Sequence, residues 1–292
     1  MFELFFYFYP SEPVLKIKKL MRIKEKYATE IEGPKRLIVG GSDALYSFNT
    51  DLISEKTNVP TVNFGLNVGL GMGFILDVAR RNIKSGDEVI LCLAYSLYFK
   101  PSYDVFAYEY YRMLRKRELR HFSWKQHGYY ILLNLKLNIK YFMQKFKSGE
   151  EGEQRPLHFS ESGSCLDADG SAFAARKNIP LQFPDKFEKT ASVLALEKFY
   201  DACTEKGITV YITYPSTLGF ERYKDLNYLS DLEKYVTGRY DVIGKPSDYF
   251  VPYENIYNSV YHVNSKGQEK RSMRFLEELQ LRKGDSSTLK NK

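Results

Sequence analysis

Short apolar runs, most of them closed by glycine or proline, recur along this chain. Leu37-Ile38-Val39 runs into Gly40-Gly41, Pro60–Phe64 ends at Gly65, and Asp87–Leu93 is apolar after its first two residues. Ile208–Tyr214 is closed by Pro215, and Tyr240–Ile243 is a shorter fifth run. Runs of this length and composition read as strands covered on both faces. Between them the apolar positions take helical spacing, over about Thr50–Lys56, from the glycines at 69–73 to about Ile83, and over Lys186–Lys206, Asp225–Val236 and Ser265–Leu281. Gly207 supplies a helix stop, and Asn49 or Thr50 a helix start. Strands alternating with helices predict an α/β fold: a three-layer, doubly wound parallel sheet in the flavodoxin-like order 2-1-3-4-5, with the first strand central.

The rhythm breaks between Tyr95 and about Phe183. Two helical stretches, near Asp104–Arg120 and Tyr129–Lys147, and a polar Gly- and Ser-containing segment at Ser148–Ala175 predict a helical insertion at about residues 96–184. Ahead of the first strand, Val14–Tyr27 carries six basic residues and reads as a basic helix outside the core. Met1–Tyr9 is apolar and aromatic but too short to span a bilayer, which takes about 20 residues. It stays open as an interfacial anchor, the end of a longer membrane segment, or a packed terminal element. The organisation is therefore 1–33 as anchor or basic helix, 34–283 as the α/β domain, and 284–292 as a disordered polar tail.

Charge sharpens one part of this picture. The net charge of +7 is concentrated, with ten basic residues and one acidic residue, Glu118, between Arg112 and Lys147. Such a face attracts an anionic membrane surface, an anionic glycan or nucleic acid, but no recognised nucleic-acid motif accompanies it, and nucleic acid is not expected as a partner. Cys92, Cys165 and Cys203 are odd in number and lack metal or disulfide spacing. His121, His127 and His158 show no metal-ligand spacing either, so neither a metal nor a cofactor is expected. The glycines of Gly65-Leu-Asn-Val-Gly-Leu-Gly71 do not follow the dinucleotide fingerprint.

Candidate chemistry lies in two distant stretches. Ser42 follows Gly40-Gly41 at the carboxyl end of the first strand, where open α/β sheets bind ligands. His262, in Asn258-Ser-Val-Tyr-His-Val-Asn-Ser-Lys-Gly267, precedes the last helix. Gly40-Gly41-Ser42 alone is also plain turn chemistry; with His262 it becomes a possible nucleophile–base pair.

Taken together, Gly40-Gly-Ser42, Asn63-Phe-Gly65-Leu-Asn-Val-Gly-Leu-Gly71, and Tyr261-His262-Val-Asn264 with Gly267 and Arg271 resemble the SGNH/GDSL-type hydrolases. The closer likeness is to the branch associated with bacterial surface-polysaccharide O-acetylation. The resemblance covers about 34–98 and 185–282. It implies Ser42 as nucleophile, His262 as general base, and the N–H groups of Gly65 and Ser42 as the oxyanion hole. Two departures stand out. Where the family carries an aspartate just before the histidine, this chain has Asn258, which takes over the orienting role; and no third-block asparagine is evident in Cys92-Leu-Ala94-Tyr95-Ser96. Asp43, Asn67 and Tyr95 are candidate substrate-binding residues. The implied function is an esterase or O-acyltransferase on a cell-surface glycan or acylated carbohydrate, membrane-associated at the cell envelope, with a cytoplasmic location left open. The competing reading is a catalytically degenerate SGNH-fold protein that binds glycan or scaffolds a biosynthetic complex.

Overall fold

In β1 (Arg36–Gly40), Leu37, Ile38 and Val39 have no exposed surface. Leu37 and Val39 point into the larger of two cores and Ile38 into the smaller, on the opposite side of the sheet. The same division repeats in β3 (Glu88–Cys92), with Val89 and Leu91 on one side and Ile90 and Cys92 on the other. This computed structural model describes residues 9–147, 158–171 and 178–290. The N-terminal run Met1–Tyr9, apart from Tyr9, and much of the Ser148–Ala175 segment lie outside the described residues.

β2 (Thr61–Gly65) pairs with one side of β1, and β3 pairs with the other. β4 (Thr209–Thr213) and β6 (Val242–Ile243) extend the sheet beyond β3. All five strands are parallel, in the order β2-β1-β3-β4-β6, which is the predicted flavodoxin-like arrangement with β1 central. Two ion pairs, one buried and one half-buried, join β1 and β3 at the amino edge: Lys35 Nζ lies 2.9 Å from Asp87 Oδ2, and Arg36 Nη2 lies 2.7 Å from Glu88 Oε2.

Helices cover both faces. α1 (Glu12–Glu30), α4 (Met72–Asn82) and α7 (Ala191–Glu205) feed the larger core. α2 (Ser42–Ser47), α3 (Thr50–Thr57) and α9 (Ser265–Lys290) close the smaller one with Ala44, Phe48, Ile53, Phe275, Leu276 and Leu279. As predicted, Asn49 caps α3, its Oδ1 accepting the Leu52 N–H at 3.0 Å. Between β3 and β4 stand α5 (Val105–Leu114) and α6 (Trp124–Lys147), close to the two predicted stretches. α8 (Asn227–Arg239) precedes β6.

One expectation is corrected. The basic segment Val14–Tyr27 is not outside the core. Val14, Ile17, Leu20, Met21 and Ala28 form a buried stripe of α1 against β2, with most of the cations on the other side.

Two small pairings complete the carboxyl edge. β5 (Thr217–Leu218) pairs with β7 (Phe250–Val251). β8 (Ile256–Ser259) and β9 (His262–Val263) form an antiparallel hairpin in which Ser259 faces His262.

Candidate active site

The close approach of β1, β2 and β3 to α2 fixes where Ser42 sits. A Cβ on Gly40 would lie 2.0 Å from the Cys92 carbonyl oxygen, so only glycine lets β1 and β3 stay this close. The chain then turns at Gly41, and Ser42 becomes the first residue of α2, half-buried at the carboxyl edge.

The β8/β9 hairpin brings the second half of the site, 220 residues away in sequence. His262 Nε2 lies 2.8 Å from Ser42 Oγ. His262 Nδ1 lies 2.7 Å from Asn258 Oδ1. Tyr46 stacks on the imidazole, with centroids 4.2 Å apart and planes 12° from parallel. Asn258 Oδ1 is an amide oxygen and can only accept. Nδ1 therefore carries the proton, and the lone pair of Nε2 faces the Ser42 hydroxyl. This is the tautomer a general base needs.

Buried polar contacts hold the hairpin in place. Asn264 Nδ2 donates to the carbonyls of Glu254 (2.7 Å) and Gly170 (3.0 Å). Gln268 Nε2 donates to the carbonyls of Tyr46 and Cys165, both at 3.1 Å, which ties α9 to α2. The 158–171 segment thus braces the base of the site. It also reaches the free edge of β2, where the Asn63 N–H donates to the Ser162 carbonyl at 2.8 Å.

Three expected site residues behave differently from the sequence reading. The Gly65 N–H is not offered to a substrate, because it donates to Asn63 Oδ1 at 2.8 Å. The Gly65 carbonyl accepts from Lys24 Nζ at 2.5 Å. Glycine is required there for a packing reason: a Cβ would lie 2.2 Å from the Leu45 backbone nitrogen. Asp43 is fully buried and turned inward, one helical step of about 100° from Ser42. Its Oδ2 accepts from the Cys92 thiol at 3.7 Å. Burial pushes the Asp43 carboxyl up to about 7, partly offset by hydrogen bonds from its own and the Ala44 N–H groups, the Cys92 thiol and the Arg271 charge. Tyr95 is a core residue, 1 % exposed, and its ring meets Phe183. Neither Asp43 nor Tyr95 is a surface contact for substrate.

Asn67 stays at the site. Its Oδ1 accepts the Gly69 N–H at 2.8 Å and holds a tight turn over Val68–Leu70. That turn packs on Gly41, where an added Cβ would lie 2.4 Å from Val68 Cγ1. Asn67, Val68 and Gly69 are half-buried beside the serine.

Behind the site, Arg271 is buried on α9. Its Nη2 donates to Thr213 Oγ1 (3.0 Å) and to the Tyr214 carbonyl (3.2 Å). Its guanidinium lies 3.6 Å over the Tyr249 ring and 4.6 Å over Phe48. Lys24 is also buried, and burial brings its amine down to about 7.

Tyr46, Lys24 and Gln268 were not singled out by sequence reasoning. Only Tyr46 carried a usable signal, since it lies four residues after Ser42 and therefore one helical turn away. Among the described residues there is no group of three or more His, Cys, Asp or Glu side chains that could hold a metal ion. No helix among them is long and apolar enough to cross a membrane. Comparison of the chain with protein-family models, curated proteins and solved structures finds no match.

Proposed function

We propose that this protein is an SGNH-like serine esterase or O-acyltransferase whose α/β domain carries a helical insertion at about 96–184. The observation that carries the reading is the continuous Ser42–His262–Asn258 chain of hydrogen bonds, at 2.8 and 2.7 Å, at the carboxyl edge of a parallel sheet. A Cys-His-Asn set performs acyl transfer in papain-like proteases, so an amide in third place is chemically adequate.

In this reading, Ser42 Oγ attacks an acyl carbonyl while His262 Nε2 takes the hydroxyl proton. The oxyanion forms next to the Ser42 N–H, which starts a helix and has no intrahelical acceptor, and next to the Asn67 amide. Collapse breaks the ester bond, and His262 returns the proton to the leaving oxygen. Water completes a hydrolysis, or a glycan hydroxyl completes a transfer, with His262 again as base. The acylated-carbohydrate substrate and the cell-envelope location rest on the resemblance of the motifs.

A second reading is favoured by one specific observation. The Gly65 N–H that the resemblance assigns to the oxyanion is already committed to Asn63. A degenerate SGNH-fold protein that binds glycan without turning it over would tolerate that loss. A fluorophosphonate probe separates the two. Labelling of the wild type at Ser42, with loss of labelling and of p-nitrophenyl acetate hydrolysis in Ser42→Ala, supports the enzyme. A folded wild type that neither labels nor hydrolyses supports the binding protein.

A further inference from the structure

The long helix α6 is polar at its most buried positions. Tyr130, Asn134 and Asn138 face the protein and are buried, with Ile131 and Leu133 half-buried against the larger core. Tyr130 OH donates to the Tyr103 carbonyl (3.1 Å), and Asn134 Nδ2 donates to the Val105 carbonyl (3.2 Å). Asn138 Nδ2 reaches the Tyr9 carbonyl (3.2 Å) and Glu109 Oε1 (3.4 Å). The opposite side carries further large apolar side chains. Leu132 is 69 % exposed, Tyr129 61 % and Met143 54 %, and Trp124, at the start of the helix, is 79 % exposed. Lys125, Lys136 and Lys140 are exposed among them. Positions 125, 129, 132, 136, 140 and 143 fall on one helical stripe about 27 Å long, centred opposite Asn134. A helix packed on a soluble core normally shows the reverse arrangement.

We propose that this stripe docks on an anionic lipid surface, with α6 lying in the plane of the headgroups. Tyr129, Leu132 and Met143 enter the boundary between headgroups and chains, and the lysine heads reach the lipid phosphates with their stems alongside. Three observations choose this occupant. The surrounding stretch Arg112–Lys147 holds ten basic residues and one acidic one, which opposes a second copy of the same face. Exposed aliphatic side chains such as Leu132 and Met143 gain nothing on a nucleic-acid backbone but do gain at a bilayer. The aromatic run Phe2–Tyr9 joins the described fold at Tyr9, whose carbonyl is held by Asn138 of this same helix.

Trp124 is the single tryptophan of the chain; it stands at the amino end of the stripe, with the Lys125 amine 5.7 Å over its ring, and reports on that end. The experiment measures Trp124 emission of the full chain with vesicles of phosphatidylcholine alone and of phosphatidylcholine with phosphatidylglycerol, with and without brominated acyl chains. The expected result is a blue shift and bromine quenching on the anionic vesicles, with binding at least about tenfold weaker on the neutral ones. Lys125→Glu, Lys136→Glu and Lys140→Glu together are expected to weaken binding by about a hundredfold or more. These side chains are exposed, so far-UV circular dichroism should not change. Leu132→Gln, which leaves the charge alone, should reduce both shift and affinity. Absence of binding overturns the proposal, as does binding without quenching of Trp124, which would put the contact elsewhere. It is equally overturned if Trp124 shifts as much with an oligonucleotide, or with protein concentration in the absence of lipid.

Discussion

The Tyr46 ring lies flat against the His262 imidazole, 4.2 Å between centroids. Tyr46 is one helical turn after Ser42, so the six-residue helix α2 carries both the candidate nucleophile and the plate that holds its base. One short helix thus sets the position and the ring plane of His262, while Asn258 Oδ1 sets its tautomer. A stack of this kind contributes about 0.5–1.5 kcal/mol beyond area burial.

Tyr46→Leu tests the plate. Without the flat ring the imidazole can turn out of line between Ser42 and Asn258, whereas Tyr46→Phe keeps the ring. The expected outcome for Tyr46→Leu is a fall in kcat of about tenfold with KM nearly unchanged, and for Tyr46→Phe little change. Steady-state hydrolysis of p-nitrophenyl acetate with urea unfolding of the same samples checks this. Equal kcat in wild type and Tyr46→Leu would remove Tyr46 from the positioning role.

Asn258→Asp restores the acid that the resemblance expects. A carboxylate accepts from the Nδ1–H and stabilises the imidazolium formed during attack. In a serine protease, the reverse change of aspartate to asparagine costs about 10⁴ in rate, much of it through the wrong tautomer. Here the Asn258 amide oxygen already faces Nδ1, so the gain expected from Asn258→Asp is smaller, about tenfold to a hundredfold. Asn258→Ala should lose activity. Turnover at neutral pH reads the effect, with the double variant Ser42→Ala, Asn258→Asp as control. No gain in a folded variant would argue that the site lacks more than the acid.

Gly65→Ala tests a packing role against a catalytic one. An added Cβ would lie 2.2 Å from the Leu45 backbone nitrogen and 2.6 Å from its Cα, with no flexible side chain to yield. Strand β2 and helix α2 must then separate. The expected loss is about 3 kcal/mol or more of unfolding free energy, at the upper end of overpacking effects. Because α2 carries Ser42, activity should fall with the fraction unfolded. The denaturant midpoint is the primary readout, and a variant as stable as wild type but inactive would return Gly65 to the oxyanion hole.

The strand order and the meeting of Ser42 with His262 were legible because they follow from chain-local signals and topology. Apolar runs such as Leu37-Ile38-Val39 mark central parallel strands, and their carboxyl ends gather at one edge. The roles of Gly65 and Asp43 were not legible, because each depends on the direction of one side chain or N–H within a tight packing of β2 on α2. The burial of α1 was hidden by its lysines, which mask the stripe of Val14, Ile17 and Met21 beneath. The outer face of α6 was half visible: the basic–apolar interleaving stood in the sequence, but which side turns inward was decided by Asn134 and Asn138 finding buried partners.

Two buried ionisable groups behind the site give the stability a predictable pH dependence. Burial brings Lys24 down from an ordinary 10.5 to about 7 and raises Asp43 from 3.8 to about 7. Between about 7 and 10.5 the unfolded chain holds a proton on Lys24 that the folded chain does not, so this group's contribution rises with pH and is lost as pH falls through about 7. Between 3.8 and about 7 the folded chain holds a proton on Asp43 that the unfolded chain does not, so its contribution is present at low pH and is lost as pH rises through about 7. The two displacements correspond to about 4–5 kcal/mol each as upper bounds. The two slopes are opposite and meet near neutral pH, where both groups cost stability. Lys24→Met should therefore stabilise the protein at neutral pH by on the order of 2–3 kcal/mol, after about 1 kcal/mol for the hydrogen bond lost to the Gly65 carbonyl. It should also flatten the rise on the alkaline side. Asp43→Asn, close in shape to the protonated acid, should flatten the fall on the acid side and leave the alkaline slope in place. Urea unfolding of wild type and both variants across roughly pH 4 to 10 reads these slopes directly. A Lys24→Met protein that keeps the wild-type alkaline slope would show that the Lys24 amine remains charged in the folded state, held by the carbonyl of Gly65.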